Sequence, residues 1–238
     1  MAAAMTAIRL YDLQVRDDRR PSPFCWRIKY ALAHKGLPFD TVPIGLTDIP
    51  AIEGGAHKTV PIIDDGGKTV SDSWAIADHL DKAYPDRPPL FASPAERELC
   101  RFVEASLFVS AGRSLLMGYV KDIHDHAHER DRAYFRQTRE KLLGSTLEEL
   151  ASGRAERLDA ARAGFDSVRL TLKGGAPFLA GANPGYADYI VAGLLLWVGS
   201  IATAPFLKAD DPLLVWLGRV QDLYGGLGRT SPLNAIAA

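Results

Sequence analysis

The 238-residue chain carries 28 basic and 29 acidic side chains, a formal net charge of −1, with 47% apolar and 24% charged residues. That length holds one large domain or two modest ones, and the near-neutral balance gives no pull toward nucleic acid or an anionic membrane. Two cysteines, Cys25 and Cys100, are too few for a disulfide framework or a cysteine zinc site, so a reducing, cytoplasmic setting is expected.

The opening "MAAAMTAIRLYDLQ" lacks a basic segment followed by a long apolar core, so no signal peptide is expected there, and Met5 is a candidate start. Residues 8–13 read as a strand and 39–45 as a second. Between them, Phe24, Ile28, Ala31 and Leu32 recur at helical spacing, and Gly36 can supply a left-handed cap. Strands are expected at 59–63 and 67–72 around the turn Asp64-Asp65-Gly66-Gly67. A helix follows in "SWAIADHLDKAYP", capped by Ser71, Asp72 or Ser73. A proline-rich linker runs from 85 to about 95. Beyond it the chain reads as helical, with breaks expected near Gly112, Gly144, Gly174-Gly175 and Pro212. The run "YIVAGLLLWVG" is too short to span a bilayer and reads as a buried helix. The order βαβ, ββα, linker, helices predicts an α/β thioredoxin-like N-terminal domain over 7–86 and an all-helical C-terminal domain over 95–238.

Three patches carry candidate chemistry. Pro23 suits the first helical position, which makes Ser22 the N-cap. A cap alone accounts for Ser22, but the same geometry stabilises an external anion such as a bound thiolate. Pro61, opening a strand, is a candidate cis proline, and a trans proline at a strand edge is the plain alternative. A cis bond would offer the Val60 backbone to an extended peptide. Asp72-Ser73 at the next helix start is a cap by itself. It could also meet the ammonium and carboxylate of an amino-acid head group. Together the patches suit a small peptide with a thiol in its middle.

At these residues the sequence resembles a family. "SPFCWR", "TVPII" and "SDSWAIADHLDKAYP" are similar to the glutathione-binding half of cytosolic glutathione transferases, and "ANPGYADY" resembles that family's helix-opening box, with Gly185 where Ser or Thr is usual. That box reads as folding-related rather than catalytic. The loop Gln14–Pro21, "YPDRPPLF", "DIHDHAHERDRAYFRQTRE" and "DDPLLVWLGRVQDLYGGLGR" resemble the bacterial β-etherases of lignin breakdown and related fungal glutathione transferases. The resemblance implies glutathione as co-substrate, no metal, and a homodimer.

It further implies that Ser22 donates a hydrogen bond to the glutathione thiolate. Val60, Pro61, Asp72 and Ser73 would bind glutathione, with Lys58 reaching its glycine carboxylate. The thiolate would displace a phenolate from a β-aryloxy ketone. Phe24, Phe108, Met117 and Tyr119 are candidates for the aromatic pocket, although each also fits a plain core. General conjugation, dehalogenation, isomerisation, or a non-catalytic carrier of hydrophobic ligands are the alternatives. Cys25 falls inside the helix and is expected to be structural. His124, His126 and His128 are expected in a solvated loop that caps the next helix, not at a metal. Arg19-Arg20 could steer an anionic peptide, or simply be solvated.

Overall fold

The computed structural model describes residues 6–234 and 236–237; the candidate start Met5 lies outside them. β1 (Ile8–Leu13) buries Ile8 and Leu10 and turns Arg9 outward, the alternation of a strand at the centre of a sheet. It pairs in parallel with β2 (Phe39–Ile44) and antiparallel with β3 (Ile62–Asp65), which pairs with β4 (Lys68–Ser71). The sheet order is therefore β2-β1-β3-β4. β3 starts later than the sequence suggests because Pro61 has no N–H for a ladder. It runs on through the two aspartates, and Gly66 and Gly67 (φ 62° and 91°) alone make the turn.

The first helix, α1 (Pro23–His34), lies between β1 and β2, and α2 (Ser73–Ala83) follows β4. Gly36, at φ 62°, ends α1 as expected. The linker is docked rather than loose. His34 Nε2 meets the Pro89 carbonyl at 3.1 Å, Lys35 Nζ donates to Asp81 at 2.7 Å, and the Leu90 amide donates to Asp81 at 2.9 Å.

The helical half comprises α3 (Pro94–Leu107), α4 (Arg113–His126), α5 (Glu129–Leu143), α6 (Leu147–Ser152), α7 (Arg154–Ala163), α8 (Asp166–Leu172), α9 (Tyr186–Ile201) and α10 (Pro212–Gly226). No break occurs at Gly112. The chain stays helical there through one wide π turn, Phe108–Gly112, in which the Ser110 hydroxyl donates to the Ser106 carbonyl at 2.7 Å. Gly144 does end α5, in the left-handed conformation.

α9 contains the long apolar run and is the axis of the core, buried at every residue except Ala187. It packs on α1, and Gly193 makes that contact possible: a Cβ there would sit 2.5 Å from the Pro23 carbonyl oxygen. The same contact pins the start of α1. Asp188 accepts from the amides of Leu179, Ala180 and Gly185 and from the Trp216 indole, which satisfies a carboxylate with no surface exposure. Gly185 thus keeps the half of the helix-opening box that Asp188 supplies. Among the described residues no helix is long and apolar enough to cross a membrane.

Candidate active site

Ser22 is extended (φ −116°, ψ 110°) and caps α1; its Oγ accepts from the Cys25 amide at 3.1 Å. A hydroxyl that accepts through a lone pair keeps its O–H free to donate. The positive end of α1 lies beside it, so the position favours an anion. Cys25 is a different matter. It has no exposed surface, its Sγ points to the Tyr11 carbonyl at 3.8 Å, and burial, with the nearby Asp12 charge, pushes its thiol up to about 12. A thiol in that state is inert at neutral pH.

The Val60–Pro61 bond is cis. Pro61 is buried, Val60 is half-buried, and Lys58 stands exposed just before them. Of the three possible caps of α2, Asp72 is the one used. It adopts φ 76°, and its Oδ1 accepts from the amides of Trp74 at 2.9 Å and Ala75 at 3.0 Å. Ser73 is buried beneath it. Its hydroxyl accepts from Arg27 Nη1 at 3.3 Å, and its carbonyl accepts from the Tyr186 hydroxyl at 3.1 Å.

These contacts expose a network with no local signal in the sequence. Arg27 is buried on α1, ion-paired with Glu104 on α3, and Glu104 also accepts from the Trp74 indole. Arg27 therefore ties the helix begun by Ser22 to the serine that begins α2, while Tyr186, from the box at the start of α9, closes over Ser73. Burial raises the Tyr186 phenol well above its ordinary value, so it stays a neutral donor. Arg27 and its partner Glu104 lie far apart along the chain, so no short motif joins them.

Phe24 stacks on Phe108 with ring centroids 5.8 Å apart and planes at 16°, and the Arg27 guanidinium lies 5.0 Å from the Phe24 centroid. The π turn places Phe108 on this wall, where it remains 36% exposed. Met117 is half-buried against the core. Tyr119 is not a pocket residue: it is wholly buried and its hydroxyl donates to the Ala204 carbonyl at 2.9 Å. Its position on the inner side of α4 is fixed by packing, which helical spacing alone does not reveal.

Two further expectations change. Arg19 and Arg20 are not solvated steering charges. Arg19 donates to the Ser200 carbonyl at 2.8 Å, and Arg20 pairs with Asp12 and Asp18, so both lock the loop that leads to Ser22. The histidine segment is not a loop. His124 and His126 end α4, His128 precedes α5 without a side-chain cap, and no metal-binding group of three His, Cys, Asp or Glu residues forms among the described residues. Two surface hollows, of about 380 and 180 Å³, lie away from Ser22, Val60 and Asp72: Arg162, Arg169 and Lys208 line the first, and Asp18, Arg20, Lys29 and Ser231 the second.

A capped helix start, a cis proline at the entry to a strand, a second capped helix start, and a helical domain packed on α1 define a thioredoxin-like protein with a helical partner domain. Known proteins agree. Residues 18–88 match the glutathione S-transferase N-terminal domain, and residues 99–216 the glutathione S-transferase C-terminal domain. The glutathione S-transferase-like protein ustS of Aspergillus flavus is 30% identical over 201 residues, 72% of this chain and 71% of that protein. The glutathione S-transferase CsGST63524 of Ceriporiopsis subvermispora, solved in complex with glutathione, superposes with a TM-score of 0.77 at 26% identity, covering 95% of this chain and 99% of that one. Glutathione transferase GSTFuA3 of Phanerochaete chrysosporium gives 0.75 at 26% identity, over 94% and 93%. The chain belongs to the glutathione S-transferase family.

Proposed function

We propose that this glutathione transferase binds glutathione with its sulfur at Ser22, its backbone along Val60–Pro61, and its amino-acid end at Asp72 and Ser73, with Lys58 near the glycine carboxylate. The observation that carries this reading is the state of Ser22. Its oxygen accepts from the Cys25 amide, its hydroxyl lies within hydrogen-bond reach of the Cys25 sulfur, and that thiol is buried and protonated, so it competes poorly with an incoming thiolate for the Ser22 proton. The reactive sulfur must then come from a ligand. A free thiol titrates near ~8.5, and a donor plus a helix N-terminus moves it toward the neutral range. A reducing, cytoplasmic setting belongs to the same reading.

The second substrate is an aromatic electrophile, taken from the helical domain's side against Phe24 and Phe108, with half-buried Met117 nearby in sequence on α4. In the β-etherase reading, the thiolate attacks the carbon that bears an aryloxy group next to a ketone. The carbon–sulfur bond forms as the carbon–oxygen bond breaks, and the electron pair leaves on phenolate. Incubation with glutathione and a β-aryloxy ketone tests this: phenol and the glutathione thioether should appear in equal amounts. Release no faster than without protein rejects ether cleavage.

A broader conjugating, dehalogenating or isomerising activity is the second reading. It is favoured by the aromatic wall itself, which accepts any planar ring, and a panel of electrophiles under the same conditions separates the two. The protein acts as a homodimer in either case. Leu99, Phe102 and Val109, 63%, 70% and 88% exposed, form an apolar strip along α3 and the π turn that a second copy would cover. Sizing in solution checks this.

A further inference from the structure

The segment "HDHAHERD" has no part in the chemistry above, yet its last residue is among the most enclosed charges in the molecule. Asp131, on the first turn of α5, has no exposed surface. Its Oδ2 accepts from the Leu46 amide at 3.0 Å; its Oδ1 accepts from the Thr47 amide at 3.0 Å and the Thr47 hydroxyl at 2.5 Å. Beside it, Arg130 donates to Asp48, which accepts from the Gly45 amide at 2.8 Å. The helical domain thus grips the thioredoxin-like domain at the point where β2 hands over to the long connection toward β3.

Gly45 shows how tight the grip is. A Cβ there would lie 2.6 Å from Asp131 Oδ2 and 3.0 Å from Arg130 Nη2. Its backbone, at φ −79° and ψ 172°, suits any residue, so glycine serves for space and not for torsion. From the grip the chain runs through a 3₁₀ segment, Leu46–Gly55, with left-handed residues at Glu53, Gly54 and Gly55, to the exposed Lys58 and then Val60. Leu46 packs into the main core at the segment's root, but beyond it only Ile49 and Ile52 are buried, in a small cluster with Ile44 and Ile62. Asp131 supplies three charge-assisted or buried hydrogen bonds at the segment's root.

We propose that Asp131 is a positioning residue for glutathione, holding residues 46–60 against the helical domain so that Lys58 and Val60 stand ready for the peptide. This rests on the reading that glutathione lies along Val60–Pro61. A loosened segment must be ordered on binding, which lowers affinity and leaves the chemical step at Ser22 untouched.

Two variants approach the grip from opposite sides. Asp131→Asn turns an amide donor toward the Leu46 N–H, and Gly45→Ala puts a methyl group against the carboxylate. Each is expected to weaken glutathione binding about tenfold by calorimetry. kcat at saturating glutathione should stay within about twofold, and the double variant should be no worse than the worse single. Without ligand, amide hydrogen exchange should quicken across 46–60 in both variants. Unchanged glutathione affinity in both variants, or a loss of kcat at unchanged affinity, overturns the proposal, as does unchanged exchange across 46–60. Wild-type protein that does not bind glutathione overturns instead the functional reading, and the exchange measurement still judges the grip.

Discussion

The Ser22 hydroxyl oxygen accepts the Cys25 amide hydrogen at 3.1 Å, so a single side chain closes the first turn of α1 and presents a donor at its mouth. Structure and chemistry are therefore separable only in degree. Ser22→Ala is expected to cost ~1 kcal/mol of stability and to lower kcat/KM about a hundredfold. The ultraviolet absorbance of bound glutathione thiolate should titrate at higher pH in the variant. Superimposable titrations would remove Ser22 from the chemistry.

Cys25 and Cys100 are both buried, and burial raises their thiols to about 12 and about 11. At pH 8 in native protein, alkylation of Cys25 is expected on the order of a thousandfold more slowly than in denaturant. Cys25→Ser should retain glutathione transferase activity. Rapid labelling of Cys25 in the folded protein, followed by mass spectrometry, would reopen a covalent role for it.

Arg27 joins Ser73 to Glu104 with 1% of its side chain exposed. Arg27→Met leaves Glu104 without its cation and should cost about 3 kcal/mol in urea unfolding, since the surviving charge is largely enclosed. The double variant Arg27→Met, Glu104→Gln should recover part of that loss. Glutathione KM should rise in the single variant, because Ser73 loses the donor that orients it.

His34 sits at the domain boundary with a determined tautomer. The Pro89 carbonyl only accepts, so Nε2 of the neutral ring carries the proton, and Nδ1 faces the hydroxyls of Tyr189 at 2.8 Å and Tyr224 at 3.3 Å, which are bonded to each other at 2.6 Å. Burial lowers the pKa of His34, the hydrogen bond to the Pro89 carbonyl opposes it, Lys35 acts with burial, and Asp81 and Glu96 act against it. The folded state thus favours neutral imidazole. This contribution is complete above the unfolded value of ~6.5 and is lost as pH falls through the folded value. Unfolding free energy should drop more between pH 7.5 and 5.5 in wild type than in His34→Gln. Equal drops would assign the pH dependence elsewhere, His126 being the next candidate because it too is lowered by burial, with Arg19 and Arg16.

Local order was readable wherever a residue's role depends on its near neighbours. Ser22-Pro23 as a helix start, Gly36 and Gly144 as helix ends, the Gly66-Gly67 turn and the apolar α9 all follow from backbone preference and periodicity over a few residues. The first strand and the two-part layout follow for the same reason. So did the three patches of the candidate site, since two of them are helix caps and the third a proline at a strand entry.

Tertiary structure decided everything that depends on distant partners. Tyr119 and Met117 share one helix and one apolar character, but only packing makes the first a sealed core residue and leaves the second half-open. Arg27 looks like any helical arginine until Glu104 and Ser73 surround it. Asp131 looks like a helix-start acid until it meets the Leu46 and Thr47 amides of the other domain. The sequence by itself determined the helix starts that can hold an anion, because a cap is a contact over three residues. Which charges are buried, which aromatics face outward, and how the helical domain grips the other were decided by the fold, because a charge leaves water only where partners from remote segments replace the water's hydrogen bonds.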